Sequence, residues 1–167
     1  MRLHNQVAIV TGVSHAGQVG YGLAAAFARE GALLAISARN AERINQRAQD
    51  LRAEGASVIA IPADLTTEEG AQTLIQETVA VYGHINVLVN LAGGLTKYGH
   101  PDELTLAAWE SELNNNLRTA FLCTRAAMPM LRRGSTIVNN VSIAASTVFP
   151  GMAAYSASKA GLLRAAG

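Results

Sequence analysis

Tyr155 and Lys159 stand four residues apart near the C-terminus, in the run YSASKAGLLRAAG. Four residues is close to one helical turn, so the two side chains share a face if the segment is helical. A phenol and an ammonium on one face suggest acid–base chemistry at an oxygen. A tyrosine ordinarily titrates at about 10, and bringing it near neutral pH takes roughly 4 kcal/mol. An ammonium about 4 Å away at an effective dielectric of about 20 supplies about that much. Ser142, thirteen residues before Tyr155, can hydrogen-bond a substrate oxygen. A Tyr-x-x-x-Lys pair by itself is common and could be an exposed helical pair. Its weight depends on what precedes it.

A glycine-rich stretch, TGVSHAGQVGYGLAAAF, runs from Thr11 to Phe27 after the apolar run VAIV. It reads as strand, glycine turn and helix start. Such a turn brings backbone N–H groups and the positive end of a helix dipole close to a pyrophosphate. Gly20-Tyr21-Gly22-Leu23-Ala24-Ala25 fits G-x-G-x-x-A; the alternative is a flexible surface loop. The second strand ends Ser37-Ala38-Arg39, with no acid where an NAD site usually places one for the ribose 2′-hydroxyl. Arg39 suits a 2′-phosphate instead, which favours NADP(H) over NAD(H). The alternative there is a solvated arginine at a helix start.

The elements that must position these residues alternate along the chain. Strands are expected at Val7–Gly12, Leu33–Ser37, Ser57–Pro62, Ile85–Asn90 and Ser135–Val141. Helices are expected from Gly22 to the stop at Gly31, around Ile44, Ala48 and Leu51, and over Ala71 to Tyr82. A longer helix is expected to bury Trp109, Leu113, Leu117, Ala120, Phe121, Thr124 and Met128, and a last one starts near Met152. This order implies an α/β, Rossmann-type doubly wound parallel sheet with helices on both faces. Ligands of such sheets bind beyond the strand C-termini, where the strand order reverses. Gly12, Ser37, Asp64, Asn90 and Ser142 all end or closely follow a strand.

The totals agree with one domain spanning 1–167. Of 167 residues, 50% are hydrophobic and 15% charged, which suits a sheet buried on both faces. A net charge of +1 gives no electrostatic case for nucleic acid or an anionic membrane. Two stretches without Asp, Glu, Lys or Arg, Asn5–Ala28 and Gly134–Ser158, are interrupted by Gly, Ser, Asn or Thr and do not read as membrane spans. The single cysteine, Cys123, rules out an intramolecular disulfide and is compatible with a cytoplasmic location. His4, His15, His84 and His100 lack metal-ligand spacing, so no metal is expected.

Together these motifs resemble the classical short-chain dehydrogenase/reductases over the whole chain. Thr11-Gly12 with Gly20-x-Gly22 looks like that family's cofactor loop, and Asp64 in ADLT like its adenine-contacting acid. NLAGG (Asn90–Gly94) is similar to its N-N-A-G motif, with Leu91 for the second Asn. NLRTAF puts Asn116 at the place of its active-site asparagine. The resemblance implies a catalytic set of Asn116, Ser142, Tyr155 and Lys159. It implies a cofactor-binding set of Gly12, Ser14, Gly20, Tyr21, Gly22, Ser37, Arg39, Asp64, Leu65, Asn90, Ala92 and Gly93, joined by Tyr155 and Lys159. Tyr155 would exchange the proton at the substrate oxygen. Lys159 would bind the nicotinamide ribose and assist Tyr155, Ser142 would polarise the carbonyl, and Asn116 would help hold a water in the proton path. The implied activity is NAD(P)(H)-dependent interconversion of a small carbonyl compound and its alcohol, 3-oxoacyl-carrier-protein reduction being one class. A homo-oligomer through the helices containing Trp109 and Tyr155 is implied as well.

The match departs at three places. The Gly12–Gly20 loop carries four residues more than the family's common pattern, and Asn140-Val141 replaces the usual Ile-Ser. The family also continues past the last helix into further strands and a substrate lid. By that standard the domain is incomplete at its C-terminus, with the fifth strand an exposed sheet edge. The second function class is therefore a non-catalytic dinucleotide-binding fragment or assembly subunit.

Overall fold

The computed structural model describes residues 1–165. Five strands form one parallel sheet: β1 (Val7–Thr11), β2 (Leu33–Ala38), β3 (Ser57–Pro62), β4 (Ile85–Asn90) and β5 (Leu131–Asn139). Their order is β3-β2-β1-β4-β5, and the pairs are parallel. Chain order reverses between β1 and β4, which opens a crevice at their C-terminal ends.

Alternation along each strand divides the core. On β1, Ala8 and Val10 pack with Ala24 and Ala25 of α1 (Val19–Arg29) and Ile44, Ala48 and Leu51 of α2 (Ala41–Ala53). Ile9 faces the other way, toward Leu74 and Ile75 of α3 (Glu68–Tyr82). The same side holds Leu122 and Cys123 of α5 (Thr119–Ala127). Burial on both faces explains the unbroken apolar run of β1. Helix starts follow ordinary capping rules. Asn40, Thr67 and Thr105 each accept a backbone N–H, opening α2, α3 and α4 (Leu106–Leu113).

Three expected boundaries differ. Helix α1 begins at Val19, not Gly22, so the loop is shorter than the glycine spacing suggests. Strand β5 begins at Leu131 and ends at Asn139. It is the outermost strand among the described residues, and its solvent face tolerates Arg132 and Arg133. The long helix is not continuous. A π-helical turn, Asn114–Arg118, separates α4 from α5. The extra residue in that turn rotates everything after it, so the expected face does not hold. Phe121 and Met128 are 57% and 59% exposed, while Asn116, Thr119 and Cys123 are buried. Last, α6 (Ala153–Arg164) packs on the π turn and on the short turn Ile143–Ala145.

One hydroxyl joins the two strands at the crevice. Thr11, 1% exposed, donates to the Val89 carbonyl (3.1 Å) and accepts from the N–H groups of Leu91 and Ala92 (2.9 Å each). Thr11→Val keeps the shape but leaves three buried groups without partners, each costing about 1–3 kcal/mol before relaxation. Urea unfolding should report a loss of about 2–4 kcal/mol for Thr11→Val and a much smaller one for Thr11→Ser.

Candidate functional site

At the crevice, a solvent-open cleft with about 670 Å³ of empty space runs past the ends of β1, β2, β3 and β4. Of the residues expected to bind a cofactor, Gly12, Ser14, Arg39, Asp64, Leu65, Ala92 and Gly93 line it. Asp64 accepts from the Thr66 hydroxyl (2.7 Å) and N–H (3.0 Å) through Oδ1 alone. Those bonds, Thr66's hydroxyl first, hold its carboxyl below the usual range, with Arg39 adding in the same direction. Its second oxygen is left to accept a donor in the cleft. Leu65 turns its side chain into the core beside Ile61 and Leu74, so only its main chain can serve a ligand.

Five of the expected cofactor residues do not line the cleft. Ser37 donates to the Ile61 carbonyl (2.7 Å), tying β2 to β3. Asn90 donates to Thr124 (3.0 Å) and Asn139 (2.9 Å), tying β4 to α5 and β5. Tyr21 lies under the Arg47 guanidinium, 5.8 Å from ring centroid to Cζ, and Gly22 faces open space. Gly20 is pressed so close to β1 that a Cβ there would sit 2.5 Å from the Gly12 carbonyl oxygen. Polar residues at the ends of buried parallel strands are needed to satisfy neighbouring main-chain groups, and that need absorbs Ser37 and Asn90.

The cleft also contains residues the motifs did not single out: Gln18, Thr96, Asn115 and Thr119. Gln18 is the N-cap of α1 but makes no side-chain capping bond, and no acid occupies the first turn. This helix start therefore presents free N–H groups and an unneutralised dipole beside the cleft. Gln18 could have been found in the sequence as the last residue before the helical run. The other three follow from the π turn, which sequence periodicity does not reveal.

The expected catalytic residues gather around α6. Lys159 is 2% exposed and donates to the Asn140 carbonyl at 2.8 Å. Its Nζ stands 5.8 Å from the centre of the Tyr155 ring, so the ammonium faces a main-chain oxygen and lies farther from the phenol than the expected contact. Because the acceptor is a carbonyl, the change of side chain at 140 costs this contact nothing. Ser142 accepts from the Ala144 N–H (3.2 Å), which leaves its own proton free to donate outward. Asn116, fully buried, accepts from Gly94 N–H (2.9 Å) and donates to the carbonyls of Gly94 (3.1 Å) and Glu112 (3.0 Å). Its side chain is thus spent on holding the chain after β4. Gly93 packs against it: φ is +134°, and a Cβ would meet Asn116 Oδ1 at 2.5 Å. Cys123 takes no part, since burial pushes its thiol up to about 12.

This arrangement sets a dinucleotide-sized crevice beside a Ser, Tyr and Lys group. Residues 6–166 match the sequence profile described as short chain dehydrogenase. The chain belongs to this family. Among curated relatives it is 31% identical over 163 residues to human dehydrogenase/reductase SDR family member 4, covering 96% of this chain and 58% of that protein. It is 32% identical over 162 residues to the 3-oxoacyl-(acyl-carrier-protein) reductase FabG of Staphylococcus epidermidis, covering 95% of this chain and 65% of that one. Among solved structures, a short-chain dehydrogenase from Mycobacterium smegmatis superposes with a TM-score of 0.93 at 30% identity, over 98% of this chain and 69% of that one. A short-chain dehydrogenase/reductase from Serratia marcescens gives 0.92 at 30% identity, over 99% and 67%. The chain thus spans 58–65% of the length of these curated relatives. Among the described residues, no helix is long and apolar enough to cross a membrane.

Burial also sets a pH dependence. Desolvation holds the Lys159 ammonium below the ordinary 10.5. Between the folded value and 10.5 the unfolded chain binds a proton that the folded chain does not, so stability rises with pH across that window. Lys159→Met should flatten that rise, as read by urea unfolding from neutral pH up to the ordinary lysine value.

Proposed function

We propose that the chain supplies the dinucleotide site and the reacting residues of an oxidoreductase that interconverts a small carbonyl compound and its alcohol, with NADP(H) preferred over NAD(H). The observation that carries this reading is the buried Lys159 ammonium, fixed on the Asn140 carbonyl beside the Tyr155 ring. An ammonium is costly to bury without a partner, and this one is held where positive potential serves a phenol that gives up its proton. Two of its three N–H donors remain for a cofactor ribose. Tyr155 gives or takes the proton at the substrate oxygen, and Ser142 donates its free proton to the same oxygen. The nicotinamide, when bound, supplies or accepts the hydride at the carbonyl carbon.

The chain's fit to a dinucleotide rests on the glycine turn at Gly12, the uncapped start of α1 and the free oxygen of Asp64. Preference for the phosphorylated cofactor is supported by Arg39 in the cleft and by the lack of an acid at the end of β2. The likeness to the Staphylococcus reductase FabG supports a carbonyl substrate of acyl-thioester type as one class.

Tyr155→Phe should lower turnover by about 100- to 10,000-fold while leaving the thermal midpoint and cofactor affinity unchanged. Retained activity in this variant rejects the assignment. Dinucleotide binding without turnover in the wild type favours a binding module instead. For the cofactor, Arg39→Ala should weaken NADPH by about 10- to 100-fold, the loss of one charge-assisted contact, and leave NADH unchanged. Equal effects on both cofactors in a fluorescence titration reject Arg39 as the phosphate partner.

A further inference from the structure

The segment leaving β4, Leu91–Lys97, has neither helix nor strand, yet Ala92, Gly93 and Thr96 form part of the cleft wall. Its sequence offers little stiffness, since Gly93 and Gly94 both take positive φ and glycine leaves the backbone free. The order must be imposed from outside. Asn116 holds Gly94 at both its N–H and its carbonyl. One turn earlier, Glu112 reaches the next part of the segment. Its Oε1 accepts from the N–H of Thr96 (2.8 Å), the N–H of Lys97 (2.9 Å) and the Thr96 hydroxyl.

Glu112 is 0% exposed. Its Oε2 is also buried and has no hydrogen-bond partner among the described residues. A carboxyl in such a place is costly compared with a leucine of similar size. All of its side-chain bonds go to Thr96 and Lys97, and none to its own helix. The carboxyl is oriented for that segment even though one oxygen is left without a donor.

We propose that Glu112 is a positioning residue of the cleft. It fixes Thr96 and Lys97 as a ledge, so that the wall carrying Gly93 and Thr96 is built before a ligand enters. A preformed wall spares the ordering cost at binding. The ledge is read from this chain's own contacts; its effect on ligand affinity rests on the dinucleotide reading above.

Two readouts separate these parts. Amide hydrogen exchange at Thr96 and Lys97 follows the ledge in the unliganded chain, and titration with NADPH follows affinity. Glu112→Gln retains Oε1 as an acceptor, so protection should persist and Kd stay within about twofold of wild type. Glu112→Leu should release both amides while β1 amides stay protected, and raise Kd about tenfold. If Glu112→Leu does not fold, Thr96→Val replaces it. That variant loses only the hydroxyl contact, and Kd should rise about threefold. Unchanged protection or affinity in Glu112→Leu overturns the proposal, as does unchanged affinity in Thr96→Val when it stands in. Loss in Glu112→Gln equal to that in Glu112→Leu also overturns it, because charge rather than acceptor geometry would then matter. Failure of the wild type to bind NADPH or NADH overturns the dinucleotide reading, and the exchange pattern alone then decides for or against the ledge.

Discussion

The crevice depends on the Thr11 hydroxyl. One oxygen donates once and accepts twice, which is the full capacity of a hydroxyl. At the reversal of strand order the chains leaving β1 and β4 diverge, so each loses the ladder partner it had inside the sheet. Their N–H groups would be buried without acceptors. Thr11 supplies that acceptor for Leu91 and Ala92 from within β1, and holds apart the two segments that become opposite walls of the cleft. On one side follow Gly12 and the start of α1, with Gly20 pressed against the Gly12 carbonyl. On the other follow Ala92 and Gly93, pressed against Asn116.

From there the site is held largely through main-chain groups. Asn116 grips Gly94 at both polar atoms, Glu112 grips the amides of Thr96 and Lys97, and Lys159 rests on the Asn140 carbonyl. Asn140 is itself tied back, its N–H donating to the Asn90 carbonyl at 2.9 Å. Contacts to carbonyls and amides survive side-chain replacement. This is why Asn140-Val141 can stand where related chains carry other residues, and why Leu91 can replace an asparagine while its N–H still reaches Thr11.

The sheet was legible because its signal is local: apolar runs of five or six residues, each followed by a polar turn and an amphipathic helix. The cleft-facing ends of β1, β3 and β4 were legible for the same reason. What escaped lies where one residue breaks a period. The π turn at Asn114–Arg118 adds a residue to the helical count, so Leu113 and Phe121 cannot share a face, and Phe121 points to solvent. Glu112 looked like a surface acid beside Glu110, although it sits on the same turn of reasoning as Asn116, four residues before it. Ser37 and Asn90 were read as ligand contacts from their place at strand ends. Position alone does not say whether such a group faces the crevice or closes a neighbouring strand's hydrogen bonds. Strand β5 was placed four residues late because Arg132, Arg133 and Gly134 break the apolar pattern, and an outer strand does not require that pattern.

The long stretch without formal charge, Asn5 to Ala28, acquires a physical meaning once the helix starts are compared. Helices α2 and α3 each carry acids in their first turn, Glu42 in one and Glu68 with Glu69 in the other, and each has a side-chain cap. Their dipoles are answered internally. Helix α1 has neither, and Gln18 at its start lines the cleft. An acid there would satisfy the N–H groups and stabilise α1 by about 0.3–1 kcal/mol, but it would also repel an anion from the cleft. Forgoing that stabilisation makes sense if the field at this helix start is kept for a ligand's negative charge. Arg39 extends the same positive potential along the cleft, and Asp64, with one oxygen already bound to Thr66, remains available for a neutral donor. The cleft therefore discriminates along its length, anion at one part and hydrogen-bond donor at another, which is the pattern a nucleotide phosphate and its base present.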